Sequence, residues 1–166
     1  MQPAKMHLVG LMLLGLAPLV SAEDAPTVTT KTLSAGTANQ LASAAYQACA
    51  ELGFHVTVAV VGRDGLPLAL LRSPSAGPHS IEVAQRKGYA ANTFRAPTAA
   101  LAGRDFMRDI PGVLLIPGGI PVSAAGQHVG AVGVSGAPGQ QSPGDVDIQC
   151  AEAGIEAVQT DLDMDG

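Results

Sequence analysis

The 166-residue sequence has no tryptophan, three phenylalanines, two tyrosines and two cysteines, with nine lysines and arginines against fourteen acids. Each scarcity excludes something. So few aromatics leave no platform on which bases or sugars could stack. A formal net charge of −5 with scattered cations leaves no basic stripe of the kind nucleic acid requires. No C-x-x-C-H occurs, which excludes a covalently attached c-type haem. The two cysteines, Cys49 and Cys150, admit two readings. A bridge would close a loop of roughly 100 residues, worth ~4.7 kcal/mol of chain entropy. Otherwise both are small buried hydrophobes.

Long apolar runs are also lacking, apart from residues 8–20 ("LVGLMLLGLAPLV"). This run follows Lys5 and leads to Val20-Ser21-Ala22, a small-residue cleavage pattern. It is too short for a spanning helix. Residues 1–22 are therefore expected to be a signal peptide, residues 23–32 a linker, residues 33–162 one domain and residues 163–166 a tail. The mature chain is expected to be periplasmic or secreted, with no membrane span.

The common catalytic signatures are missing. "GAVGVSGAPG" (residues 130–139) spaces its glycines by three, unlike a dinucleotide fingerprint, and holds no G-K-[ST]. Gly130 and Gly133 fall inside a strand pattern, where glycine marks a bulge or the close approach of another backbone. Ser135 lies in "GVSGA", in strand context unsuited to a nucleophile elbow. His55, His79 and His128 form no H-x-x-x-H pair, so no preformed zinc site is expected. Glu152 and Glu156 stand one helical turn apart, as do Asp161 and Asp165, a spacing that suits a solvated face or a cation such as iron.

What the sequence does contain is periodicity. Ser34 is placed to cap a helix ending at Leu52, with Ala38, Leu41, Ala45 and Ala48 on one face. Residues 54–61 ("FHVTVAVV") read as a strand covered on both faces, and "RDG" as the turn to a second strand. A second helix starts near Ser80, with Ile81, Ala84, Gly88 and Ala91 on a stripe of mostly small residues that permits very close packing. Pro97 ends it, and Thr98 is placed to cap a short third helix. Residues 113–116, 120–123 and 128–135 read as three more strands, and a final helix runs from Asp145. The expected fold is α/β (α+β): a three-layer sandwich of five mostly antiparallel strands with helices on both faces.

Four blocks, "VAVVGRDGLPLALLR", "SIEVAQRKGYAANTFRAPT", "LLIPGGIPV" and "GAVGVSGAPG…DVDIQCAEAGIEAV", occur in this order. Together they resemble the GlcG/HbpS family, which includes the carboxy-terminal domain of PduO-type adenosyltransferases. The resemblance covers about residues 33–158 and implies a profilin-like fold. It also implies a haem-binding accessory protein, homo-oligomeric and associated with haem or iron scavenging or sensing. The alternatives are a small-molecule enzyme of glycolate- or propanediol-type metabolism, haem degradation included, and a protein whose oligomeric surface is its function. By resemblance Thr98, after Pro97, is the candidate iron ligand and Arg95 the propionate partner. Phe94, Phe106 and Met107 would supply apolar surface, with His55, His79 and His128 as further ligand candidates. Many relatives read F-R-R-P-T, where this chain has Ala96.

Overall fold

The computed structural model describes residues 26–165; the expected signal peptide, residues 23–25 of the expected linker and residue 166 of the expected tail lie outside them. In chain order come α1 (Ala35–Glu51), β1 (Thr57–Gly62), β2 (Pro67–Arg72), α2 (Ser80–Phe94), two 3₁₀ turns (Thr98–Leu101 and Asp105–Met107), β3 (Gly119–Ala124), β4 (Gln127–Ser135) and α3 (Asp145–Met164). The strands form one antiparallel sheet in the order β2-β1-β4-β3. α1 and α3 pack together on one face, and α2 covers the other.

Local chemistry accounts for the layers. Ser34 caps α1 as expected, its hydroxyl accepting from the Thr37 amide at 3.1 Å. The apolar face of α1 (Ala38, Leu41, Ala42, Ala45, Cys49) meets Cys150, Ala151 and Val158 of α3 over Val56, Val58, Val60, Val132 and Val134 of the sheet. Cys49 and Cys150 are joined in a disulfide, Cα atoms 5.4 Å apart, which ties the two helices of this layer together. β1 is buried along its whole length, as a strand covered on both faces must be.

On the opposite face α2 lies in backbone contact with β4. A Cβ at Gly133 would overlap the Ala84 carbonyl oxygen, and a Cβ at Gly88 would stand 3.3 Å from the Gly133 amide. The strand glycine therefore marks the close approach of another backbone. The buried stripe differs from the expected one at its start: Ile81 is exposed, while Ser80 and Lys87 are inside.

Four strands, rather than five, pair among the described residues. Residues 113–116 bury Val113 and Leu115 alternately, as a strand would, but they join no ladder. Side chains occupy their carbonyls instead: Arg86 Nη2 donates to Val113 O at 3.0 Å and Thr98 Oγ1 to Ile116 O at 2.9 Å. Prolines on either side, Pro111 and Pro117, offer no amide for a ladder to continue.

Candidate functional site

Along its outer side α2 presents Val83 and Arg86, with His79 one turn before Val83 and Lys87 turned further inward. Residues 113–116 run beside this stripe, and two cavities open along α2 with Ile116 as a shared wall, one toward residues 113–116 and the other toward the end of β4 and the start of α3. One, of about 270 Å³, is lined by Arg86, Arg108, Val113, Leu114, Leu115 and Ile116. The other, of about 420 Å³, is bounded by His79, Val83, Lys87, Ser135, Ala137 and Asp147 among its walls. The result is a groove with apolar sides and chemically different ends.

At one end stand two guanidinium groups. Arg86 uses Nη1 on Glu82 at 3.3 Å and Nη2 on Val113 O, but its buried Nε–H has no acceptor among the described residues. A buried donor left unpaired costs roughly 1–3 kcal/mol, so it favours an acceptor arriving from the groove. Arg108 pairs with the exposed Asp105 at 3.3 Å, an interaction too solvated to hold it firmly.

His79 stands at the other end. It precedes α2, is exposed, and makes no side-chain cap bond. Its ring rests over Gly77, where any Cβ would come within 2.6 Å of the imidazole. Glycine thus leaves the ring room to lie there, and the imidazole remains available as an acceptor or metal ligand.

Between them, at the floor of the larger cavity, lies a buried ion pair. Lys87 Nζ donates to Asp147 Oδ2 at 2.7 Å and to Val134 O at 2.9 Å, with both side chains almost wholly enclosed. Asp147 Oδ1 accepts the Ala137 amide at 3.1 Å. Burial pulls the Lys87 ammonium below its ordinary value and pushes the Asp147 carboxyl above its own. Each shift is opposed by the partner's charge. The loop beside this pair is held by Asp145, which accepts backbone amides of Gln140, Gln141, Ser142 and Val146. Those bonds bring its carboxyl down to about 2.

The residues singled out from sequence are divided by the fold. Phe94 and Met107 are half-buried and pack on the small cluster of Ala90, Leu101, Val113 and Leu115. Phe106 is 72% exposed, and Ile110 and Ile116 are exposed beyond it. Thr98 is wholly buried. Its hydroxyl donates to Ile116 O and accepts from the Gly119 amide at 3.0 Å, fastening the start of β3. It caps no helix, contrary to the expectation: the turn it opens is too short, and the strand amide has taken its lone pair. Arg95 ends α2 in a left-handed conformation, φ 50° and ψ 39°, and its charge acts on His128.

His128 donates from Nε2 to Asn92 Oδ1 at 2.7 Å, while Asn92 Nδ2 donates to Arg63 O at 3.1 Å. Burial, then the charges of Arg95 and Arg63, lower its pKa. His55 is exposed and shares a hydrogen bond with Ser73 Oγ at 3.1 Å. Among the described residues no three His, Cys, Asp or Glu side chains converge on a metal-sized site. The Lys87–Asp147 pair and Arg86 were not legible as site residues in the sequence.

A family model described as haem degrading protein HbpS-like matches residues 33–156. The chain belongs to the HbpS-like family. Its structure is similar to that of a double mutant of HbpS from Streptomyces reticuli, with 40% identity, a TM-score of 0.76, and coverage of 87% of this chain and 99% of that one. PduOC in its heme complex is 26% identical, with a TM-score of 0.66 over 76% of this chain and 94% of the other. Klebsiella pneumoniae ORFY, at 22% identity and TM-score 0.74 over 82% and 97% of the two chains, shows the shared fold alone. No curated protein matches the chain. Within this HbpS-like fold the groove offers a free imidazole, two guanidinium groups and apolar walls. That donor set suits a flat, dianionic, metal-bearing ligand.

Proposed function

We propose that this HbpS-like protein binds haem along the groove beside α2, as an exported accessory protein that scavenges or senses haem or its iron. The groove itself carries the reading: a free imidazole at one end, and at the other a guanidinium whose buried Nε–H lacks an acceptor. His79 and Arg86 are seven residues apart, about 10 Å along the helix at ~1.5 Å per residue. That matches in scale the reach from a porphyrin's centre to its propionates. His79 would hold the iron, Arg86 and Arg108 would meet the propionates, and Val83 and Ile116 would line the ring. The family description and the heme complex of PduOC support the same ligand. Bound haem would supply a redox-active iron, and the protein's own residues bind, orient and shield it.

Thr98 is the weaker ligand candidate, because its hydroxyl is enclosed and doubly engaged. A hydroxyl is also a weaker partner for haem iron than imidazole. Arg95 is the weaker propionate partner, since it lines neither cavity and its charge is felt at His128. Export is supported by the signal-like start and by the disulfide, which persists in oxidising compartments. The exposed Phe106, Ile110 and Ile116 favour a homo-oligomer that covers them and completes the groove.

Titrating the mature protein with hemin tests the reading. A stoichiometric Soret shift is expected, abolished by His79→Ala and weakened at least tenfold by Arg86→Ala. Unchanged free-hemin absorbance, or full binding by His79→Ala, would overturn it. The family description favours haem degradation as a second reading. It predicts Soret loss under reductant and oxygen together with a recovered tetrapyrrole product.

A further inference from the structure

The geometry points to a carboxylate-binding site at the floor of the larger cavity, anchored by the third N–H of Lys87. An ammonium group carries three donors. Among the described residues Lys87 Nζ has two acceptors, Asp147 Oδ2 and Val134 O, so one donor remains without an acceptor. The side chain is almost wholly buried, yet both it and Asp147 line the cavity wall.

An ion pair placed at a cavity floor is poorly explained as a stabilising device. Taking both charges out of water costs several kcal/mol per ion, and apolar residues of similar volume often serve stability equally well. Asp147 favours the charged ammonium and fixes its direction, and Val134 O accepts from a second N–H. The unspent donor is therefore presented in a fixed orientation in a largely dehydrated place, where a charge-assisted hydrogen bond is at its strongest. Its partner must be an oxygen acceptor, and a carboxylate gains both the bond and the ammonium's field.

The rest of the cavity suits the body of such an acid. Val83, Ile116 and Pro138 are apolar walls, and the buried Ser135 and the exposed His79 offer polar atoms. At about 420 Å³ the space admits a small organic acid or one arm of a larger one. The carboxylate can come from a free acid or from a porphyrin propionate, the latter only in a ring pose that turns the propionate edge from Arg86 toward Lys87. The free-acid form of the inference does not depend on haem binding.

Calorimetry of the haem-free protein with benzoate, and with benzamide as its uncharged counterpart, tests the site. Benzoate is expected to bind saturably and to shift the Lys87 side-chain ¹⁵N resonance, and benzamide to bind at least tenfold more weakly. Lys87→Met alone would strand Asp147. The double variant Lys87→Met/Asp147→Asn instead keeps an acceptor for the Ala137 amide and is expected to fold and to lose benzoate binding at least tenfold. Val83→Phe, which fills the cavity and leaves the pair intact, is expected to lose it too. Equal affinity for benzamide, or undiminished binding in both variants, would overturn the site.

A second arm compares hemin with hemin dimethyl ester in wild type and in the double variant. If the propionate is the source, benzoate competes with hemin, and the ester's deficit in wild type shrinks in the double variant. If the source is a free acid, benzoate still binds, while hemin and its ester respond equally to the double substitution. Absence of saturable benzoate binding together with equal hemin and ester affinities would refute both sources. Absence of hemin binding would refute the haem reading alone and leave the benzoate arm to decide.

Discussion

Replacing Thr98 by valine separates two roles that the sequence assigns to one hydroxyl. Valine keeps the branched shape and removes only the oxygen. In the structure that oxygen donates to Ile116 O at 2.9 Å and accepts from the Gly119 amide at 3.0 Å, in a side chain with no exposure. Its loss leaves a carbonyl and an amide without their partner, at roughly 1–3 kcal/mol each, or about 2–6 kcal/mol together. For a domain of this size 1 kcal/mol moves the melting temperature by a few degrees, so Thr98→Val should melt on the order of 10 °C lower. Serine at this position keeps the oxygen and should recover most of the loss. Scanning calorimetry on the haem-free protein measures both variants. Hemin titrated well below the variant's melting temperature should still give the wild-type Soret band. A melting temperature unchanged within a degree or two, with the Soret band abolished, would refute the argument and return Thr98 to the iron.

Three further outcomes follow from the packing. Cys49→Ala/Cys150→Ala should lower stability by about 2–5 kcal/mol, read as a reduced midpoint in guanidinium unfolding, because the bridge closes a long loop between α1 and α3. Gly133→Ala should prevent native folding, seen as loss of dispersion in amide NMR spectra, since its methyl group would overlap the Ala84 carbonyl oxygen across the α2–β4 contact. His128 has a pKa depressed in the folded state, so its neutral form stabilises the protein above the unfolded value of about 6.5. That contribution should fall away as pH drops through the lower folded value. His128→Gln, which keeps a donor for Asn92, should flatten this part of the stability–pH curve.

The helices, the hairpin and the close α2 packing were legible because each is written in local periodicity. Ala84, Gly88 and Gly133 signal backbone contact through their small size alone. Residues 113–116 misled for the opposite reason. An alternately buried run looks the same whether its carbonyls meet a strand or side chains, and the partners here, Arg86 and Thr98, are remote in sequence. Lys87 was invisible as a site residue because a lone lysine on an amphipathic helix ordinarily reads as solvated. Its partner lies 60 residues away, in a first helical turn where an aspartate is expected on dipole grounds. His79 was picked out by residue type, whereas its freedom to act depends on Gly77 and on the absence of a capping role.

The contact of α2 with β4 through Ala84, Gly88 and Gly133 also limits how this groove can diversify. With main chain against main chain, the helix can neither sink nor tilt inward, so ligand preference is not adjustable from beneath. Variation is confined to the outer stripe and to residues 113–116, which owe their position to two side-chain bonds and no ladder. A library aimed at new ligands should therefore randomise that segment together with positions 79, 83 and 86, and leave the small residues beneath untouched.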